Sequence, residues 1–399
     1  VRVALLSRAA FPLHEPGGLE RAVFQLATHL QARGVETVLL TRPATRPGGF
    51  PGQVVSVPYG ATRGLPHGRV LDRSLHYPAF ARRLGALAAE LVRSGRVDVV
   101  HAQGLAGLGY GRLRQRQRDL RAPLVMNPQG MEEHKAGGLK GLALARIKRL
   151  SREAARLADR VIATDRVTRD EVPRLLGVAP ERVVVLPNGV DVDEVRSATP
   201  SDWERVTRQA LPLLRSADPV FLSVGRLEAY KGFGDILAAF ELLEEQGRLP
   251  RSWAWVVVGR GGYGRVLERR RRHGVARHLA FAGVVSETLL HALYARADVF
   301  VHATHYEGSS LVTLEAMAHA LPVVATRTGG IPDKVDQETG RLLEPGDVAG
   351  LAAAIAELSG AKGLRRRLGA AGRERVRRDF GWDQIADRTL ALYAELLGR

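Results

Sequence analysis

Short apolar runs alternate with longer stretches of helical periodicity along the whole chain, and this rhythm constrains the fold more than any other feature. The first run, RVALLS (residues 2–7), leads through a loop ending EPGG into LERAVFQLATHLQARG (19–34). There Ala22, Val23, Leu26 and Leu30 share one face of a helical period, and Gly34 stops the helix. Strand candidates recur at ETVLLT, QVVSVP, VDVVHA, PLVMNP, RVIATD and RVVVLPNG. Strands alternating with helices imply a mostly parallel sheet covered on both faces.

A polar stretch, VRSATPSDWERV (195–206), closes this half. The second half repeats the rhythm through PVFLSVGRL, WAWVVVG, LAFAGVV, DVFVHA, PVVAT and RLLE, and ends in helices, the last being WDQIADRTLALYAELL. The expected class is α/β: two doubly wound domains, 1–198 and 199–380, followed by a terminal helix within 381–399. Ligand sites are expected outside the carboxyl ends of the strands.

Composition narrows the partners. Hydrophobic residues make up 45% of the chain, enough for sizeable cores. No run approaches the roughly 18 uninterrupted apolar residues needed to span a bilayer. The opening VRVALLSR turns polar too soon for an export signal, so a cytoplasmic location is expected. The absence of cysteine excludes disulfides and thiolate-bound metals. A formal net charge of +17 attracts anions, whether nucleic acid, lipid headgroups or phosphorylated small molecules. Much of it is local, with 13 Lys and Arg against 5 Asp and Glu between His101 and Arg160. Solvated helix faces account for many such charges. Aromatics are only 6%, and no aromatic-rich basic strand or reading helix supports a nucleic-acid-binding protein.

The stretch HYEGSSLVTLEAMAHALPVVATRTGG (305–330) places Glu307 and Glu315 on either side of a small-residue turn between two strand candidates. Strand, Gly-Ser turn and helix N-terminus form an anion seat, with Ser309 or Ser310 as N-cap. An ordinary capped helix explains the serines; it does not explain Glu307. GRLEAYKG (225–232) adds Arg226 and Lys231 on a strand-to-helix loop at the same sheet edge. An arginine fork and a lysine ammonium beside a helix N-terminus can neutralise a leaving diphosphate without a metal.

With these motifs the sequence resembles the retaining glycosyltransferases of family four, of GT-B fold. The shared pattern is EGSSLVTLE, GRL followed by KG, PNGVD (187–191), Gly17-Gly18-x-Glu20, and Gly329-Gly330 before Pro332. The resemblance runs over nearly the whole chain. It implies two Rossmann-like domains facing each other across a cleft, with a last helix crossing back to the first domain.

It also implies roles. Glu307 would accept hydrogen bonds from donor-sugar hydroxyls and Glu315 from the ribose. Arg226 and Lys231 would hold the diphosphate. Gly17, Gly18, Gly225, Gly259, Gly308, Ser309, Ser310 and Leu311 would line the donor site, where a missing Cβ lets backbone approach the ligand. His101 closes VDVVHA and is the first choice for a catalytic base. Gln103 and Gln129 stand where relatives often carry histidine, and they are expected near the acceptor. Both departures remove a titratable group, so the leaving phosphate itself could take the acceptor proton.

Two motifs compete with this reading. GRGGYG (259–264) fits the Gly-x-Gly-x-x-Gly fingerprint and alone supports an NAD(P)-dependent oxidoreductase. The acid expected about 20 residues later at the next strand's end is absent. DVD (191–193) superficially suggests a metal site but belongs to PNGVD, and none is expected. Finally, GLKGLALARIKRLSREAARLADR (138–160) reads as one amphipathic helix. Its apolar stripe is Ala143, Ile147, Leu150, Ala154, Leu157 and Val161, with Lys148, Arg152 and Arg156 beside it. Either it packs on the core with a solvated flank, or it contacts an anionic membrane surface carrying a lipid acceptor. The expected enzyme therefore needs no cofactor. It takes a nucleotide-sugar donor and a glycan, glycolipid or small-molecule acceptor.

Overall fold

In the computed structural model, residues 1–15, 17–60, 75–128, 131, 134, 138–192, 201, 204, 212–270 and 273–399 are described. Two compact units form, one of Val1–Asn188 with Trp382–Arg399, the other of Gly189–Gly381. The expected boundary at 198/199 lies outside the described residues.

In the N-terminal unit, strands β1 (Arg2–Leu6), β2 (Glu36–Thr41), β3 (Gln53–Ser56), β4 (Val99–Gln103), β5 (Leu124–Asn127), β6 (Arg160–Ala163) and β7 (Val183–Val185) make one parallel sheet. Its order is β3-β2-β1-β4-β5-β6-β7, so the connection reverses between β1 and β4. Side chains of β1 alternate between two cores: Ala4 and Leu6 face one, Val3 and Leu5 the other. This period of two is why the strand reads as a continuous apolar run.

Helix α1 (Gly18–Gln31) covers one face together with the terminal helix Trp382–Leu396, numbered α13 below. Arg33 ties the two by pairing with both Asp383 and Asp387. The other face carries α2 (Tyr77–Arg93), α3 (Leu108–Arg116) and the helical region after β5. That region is not the single helix expected: α4 (Gly138–Ala143) and α5 (Ala145–Leu157) are separated at Leu144, and Val161 belongs to β6. Ile147 and Ala154 of α5 are buried in the core, with Leu150 and Leu157 packed against it. The apolar stripe is therefore used internally. Helix α6 (Arg166–Leu176) follows β6, capped by Asp165 and ended by Gly177.

In the C-terminal unit, β8 (Val220–Val224), β9 (Ala254–Val258), β10 (Leu279–Gly283), β11 (Val299–His302), β12 (Val323–Thr326) and β13 (Gly340–Leu343) are parallel in the order β10-β9-β8-β11-β12-β13. The switch point lies between β8 and β11, the two strands that precede the sequence's cationic and acidic loops. Helices α7 (Phe233–Glu245), α8 (Tyr263–Arg270), α9 (Glu287–Arg296), α10 (Leu311–Ala318), α11 (Val348–Gly360) and α12 (Lys362–Arg375) cover both faces. Phe221 and Trp255 enter one core, Leu222 and Val256 the other. The expectation of two doubly wound α/β domains is met.

Candidate active site

The loops after β8 and β11 meet because their strands are neighbours. His305 N–H donates to the Tyr230 carbonyl at 2.8 Å, and Thr304 Oγ1 to the same oxygen at 3.2 Å. Gly232 sits at φ +70°, and a Cβ built there would overlap the Ala303 carbonyl oxygen. Only glycine allows this approach. The result is that Lys231 is pressed against the end of β11.

There its Nζ lies 2.7 Å from Glu307 Oε2, with both side chains largely buried. His302, the last residue of β11, brings Nε2 within 2.9 Å of the same oxygen. The Gly308 N–H donates to Glu307 Oε1 at 3.2 Å. Burial, the largest influence, pushes the carboxyl up. The hydrogen bond and charge of His302 and the charge and hydrogen bond of Lys231 outweigh it and hold Glu307 down at about 2. Glu307 is thus a fixed anion, clamped from two sides.

Beyond it, Gly308, Ser309 and Ser310 lead into α10 at Leu311. The expected serine cap differs in detail. Ser310 occupies the N-cap position at φ +44° and makes no side-chain cap bond; its Oγ pairs with Thr313 Oγ1 at 2.7 Å. The N-cap side chain therefore does not take the place of a ligand at the free N–H groups of α10. The Gly330 N–H donates to the Gly308 carbonyl at 2.9 Å, fastening the Gly-Gly turn beneath the seat. Lys334, almost fully buried, reaches Ser309 Oγ at 3.5 Å. Glu315 lies within α10 and accepts from Tyr294 Oη at 2.9 Å.

Arg226 does not join Lys231 on Glu307. It is exposed, and its guanidinium donates to Glu228 at 3.1 Å and to Tyr230 Oη at 2.6 Å. Gly225 and Gly259 bring the β8 and β9 loops together: Gly225 N–H donates to Val258 O at 3.0 Å, and Leu227 N–H to Arg260 O at 2.9 Å. Gly259 has φ +140°, and a Cβ there would overlap the Gly225 carbonyl oxygen. Loop-to-loop packing thus accounts for a glycine at 259, which the dinucleotide fingerprint had claimed.

In the N-terminal unit, the loop after β1 ends at Gly17, the N-cap of α1, and Gly18 is the first residue of that helix. Gln103 ends β4 and is buried. Gln129 lies outside the described residues, as does Asp193 of the DVD triplet. His101 departs from its expectation. It sits two residues inside β4, is 2% exposed, and its Nδ1 lies 2.6 Å from Tyr393 Oη of α13. Burial pulls its pKa down to about 4, and among the described residues Nε2 has no hydrogen-bond partner. The ring is held by Tyr393 inside the strand rather than presented at its carboxyl end.

His302, Tyr294 and Lys334 were not singled out by sequence reasoning. For His302 a signal existed: a polar ring at the carboxyl end of DVFVHA, five residues before Glu307. A separate groove of about 610 Å³ lies at the amino end of β6, lined by Arg114, Arg156, Arg160 and Arg182. Arg114 and Arg182 donate to the Leu157 and Arg156 carbonyls at the end of α5, at 3.2 and 3.0 Å. They compensate a helix C-terminus there.

Two doubly wound domains are the plan shared by GT-B type glycosyltransferases, and comparison with known proteins shows that class here. Residues 16–194 match the family model described as Glycosyltransferase Family 4, and residues 218–360 the one described as Glycosyl transferases group 1. A glycogen synthase of Mycobacterium tuberculosis (strain ATCC 25618 / H37Rv) is 30% identical over 395 residues, covering 94% of this chain and 91% of the relative. A D-inositol 3-phosphate glycosyltransferase of Xylanimonas cellulosilytica is 31% identical over 435 residues, covering 100% and 97%. Among solved structures, sucrose-phosphate synthase from Thermosynechococcus elongatus superimposes with a TM-score of 0.78 at 22% identity, covering 100% of this chain and 99% of that one. The chain belongs to glycosyltransferase family four, and it is an enzyme of the glycosyl-transferring class.

Proposed function

We propose that the enzyme moves a sugar from a nucleotide-diphosphate sugar to an acceptor hydroxyl, with retention of anomeric configuration and without a metal. The observation that carries this reading is the Lys231–Glu307 pair at the switch point, beside the N-terminus of α10. Glu307 is ionised and acceptor-only, suited to donor-sugar hydroxyls. Lys231 and the backbone N–H groups at 309–311 offer positive charge to a departing diphosphate, and exposed Arg226 would join them by leaving Glu228 and Tyr230. Glu315, oriented by Tyr294, takes the ribose. Gly17 and Gly18, at the start of α1, are assigned to donor binding.

In the proposed step the bond between the anomeric carbon and the phosphate oxygen breaks, and the acceptor oxygen bonds to that carbon on the same face. The acceptor proton passes to the departing phosphate oxygen. This route uses no protein base, which agrees with the burial of His101 and the low basicity that burial gives its ring. Gln103 and Gln129 are assigned to the acceptor side. The curated relatives, named for glycogen and D-inositol 3-phosphate, support a hydroxyl of a saccharide or polyol; a lipid-linked or cell-envelope glycan is the alternative acceptor. Among the described residues no helix is long and apolar enough to cross a membrane. The flank of Lys148, Arg152 and Arg156, on the helical region that also carries exposed Leu142, is the one we assign to an anionic membrane surface.

The test is a thermal-shift screen of UDP-, GDP- and ADP-sugars. One donor should raise the melting temperature; at a hundredfold over Kd the gain is about 2.7 kcal/mol. Lys231→Ala should abolish the shift. No response to any sugar nucleotide, alongside a response to NADH, overturns the reading. Loss of activity in EDTA with recovery on adding a divalent ion overturns metal independence, and an inverted linkage by NMR overturns retention. Salt-insensitive or absent flotation with anionic vesicles removes the membrane surface.

A further inference from the structure

Lys231 has two tasks that compete. In the structure its Nζ is committed to Glu307 Oε2 at 2.7 Å, yet the proposed reaction draws the same ammonium to the departing diphosphate. If Lys231 turned away with nothing in its place, a carboxylate only 14% exposed would be left without a counter-charge. Such a group either takes up a proton or shifts, and both spoil its hold on the sugar.

His302 removes the conflict. Its Nε2 lies 2.9 Å from the very oxygen that Lys231 holds, and its side chain is 4% exposed. A carboxylate only accepts, so Nε2 carries the proton. The ring is stacked on Phe300 at 6.0 Å between centroids, and the backbone is held in β11 opposite Ala325 of β12. Lysine reaches the site on a flexible stem and can leave it. His302 is built into the sheet and cannot follow. We propose that His302 is a positioning residue that keeps the Glu307 carboxylate ionised and in place while Lys231 is transferred to the diphosphate. This deepens the preceding assignment of Glu307 and Lys231 and rests on it.

The test compares initial rates and nucleoside-diphosphate affinity of the full chain for His302→Leu, His302→Gln, Glu307→Gln and the double variant H302L/E307Q, using the donor that the screen identifies. Losing a hydrogen bond to a charged group should lower kcat roughly 10-fold in His302→Leu. Nucleoside-diphosphate affinity should stay unchanged, because that ligand lacks the sugar. His302→Gln, which can place an amide N–H near the position of Nε2, should recover to within about threefold of wild type. The double variant should be no slower than Glu307→Gln alone. Wild-type kcat in His302→Leu, or losses that multiply in the double variant, overturns the inference. So does a loss of nucleoside-diphosphate affinity in His302→Leu, since it marks a structural role. Wild-type turnover in Glu307→Gln sinks the site assignment itself, which separates the two failures. Should His302→Leu not fold, the comparison moves to Gln against Asn, whose shorter amide falls away from Nε2: equal rates in those two overturn the proposal.

Discussion

Glu307→Gln keeps the size and planar shape of the side chain and removes only its charge and titration. In the folded chain burial raises this carboxyl, but His302 and Lys231 together hold it at about 2, against an ordinary value of 4.5. Its folded value lies below its unfolded one, so the unfolded chain binds the proton first as the pH falls. The stability it contributes is therefore complete above about 4.5 and disappears as the pH drops toward 2. At 1.36 kcal/mol per unit the full span is about 3 kcal/mol, of which about 2 kcal/mol is lost between roughly pH 5.5 and 3. Glutamine has no such dependence. Urea unfolding of both proteins across that range, read from the fluorescence of buried Trp253 and Trp255 in the C-terminal unit, measures the difference. Wild type should lose about 2 kcal/mol more than the variant over the interval. If the two pH profiles superimpose, Glu307 is not a carboxylate held ionised by its neighbours, and the electrostatic account of the site fails.

Three further outcomes follow from the same geometry. Lys231→Ala should cut kcat by roughly 10²-fold, the usual cost of one transition-state contact, in a steady-state assay; wild-type turnover would count against the diphosphate role. Gly232→Ala forces a Cβ toward the Ala303 carbonyl at a left-handed φ, so thermal melts should show a loss of about 1–3 kcal/mol, with weakened donor binding. Tyr393→Phe removes the hydrogen bond that Tyr393 makes to the buried His101 ring, which should cost about 1–3 kcal/mol in stability while leaving kcat per folded molecule unchanged. A lost kcat with intact stability would return His101 to the chemistry.

The site was partly legible before any coordinates. Glu307 and Lys231 stood out because chemistry-bearing residues sat in loops after apolar runs, and in a parallel sheet the carboxyl ends of strands share one edge; Glu315 stood out by flanking the small-residue turn opposite Glu307. Arg226 and Lys231 looked alike at that stage, two cations on one loop. The fold separates them: Lys231 is 12% exposed against Glu307, and the side chain of Arg226 is 60% exposed beside Glu228. GRGGYG could be matched to a cofactor fingerprint because a glycine motif records where a Cβ is forbidden, not what forbids it. At Gly259 the obstacle is a neighbouring loop.

What the sequence by itself determined is the strands, the first and last helices and the two-domain α/β plan. Periods of two and 3.6 are properties of neighbouring residues, and they survive without knowledge of distant partners. What only the tertiary structure decided is which polar groups lost water and to whom. His101 meets Tyr393 from 292 positions away, and Glu307 meets Lys231 from 76. Desolvation and charge pairing act through space, at the contacts the packed sheets create, and no local pattern along the chain encodes them.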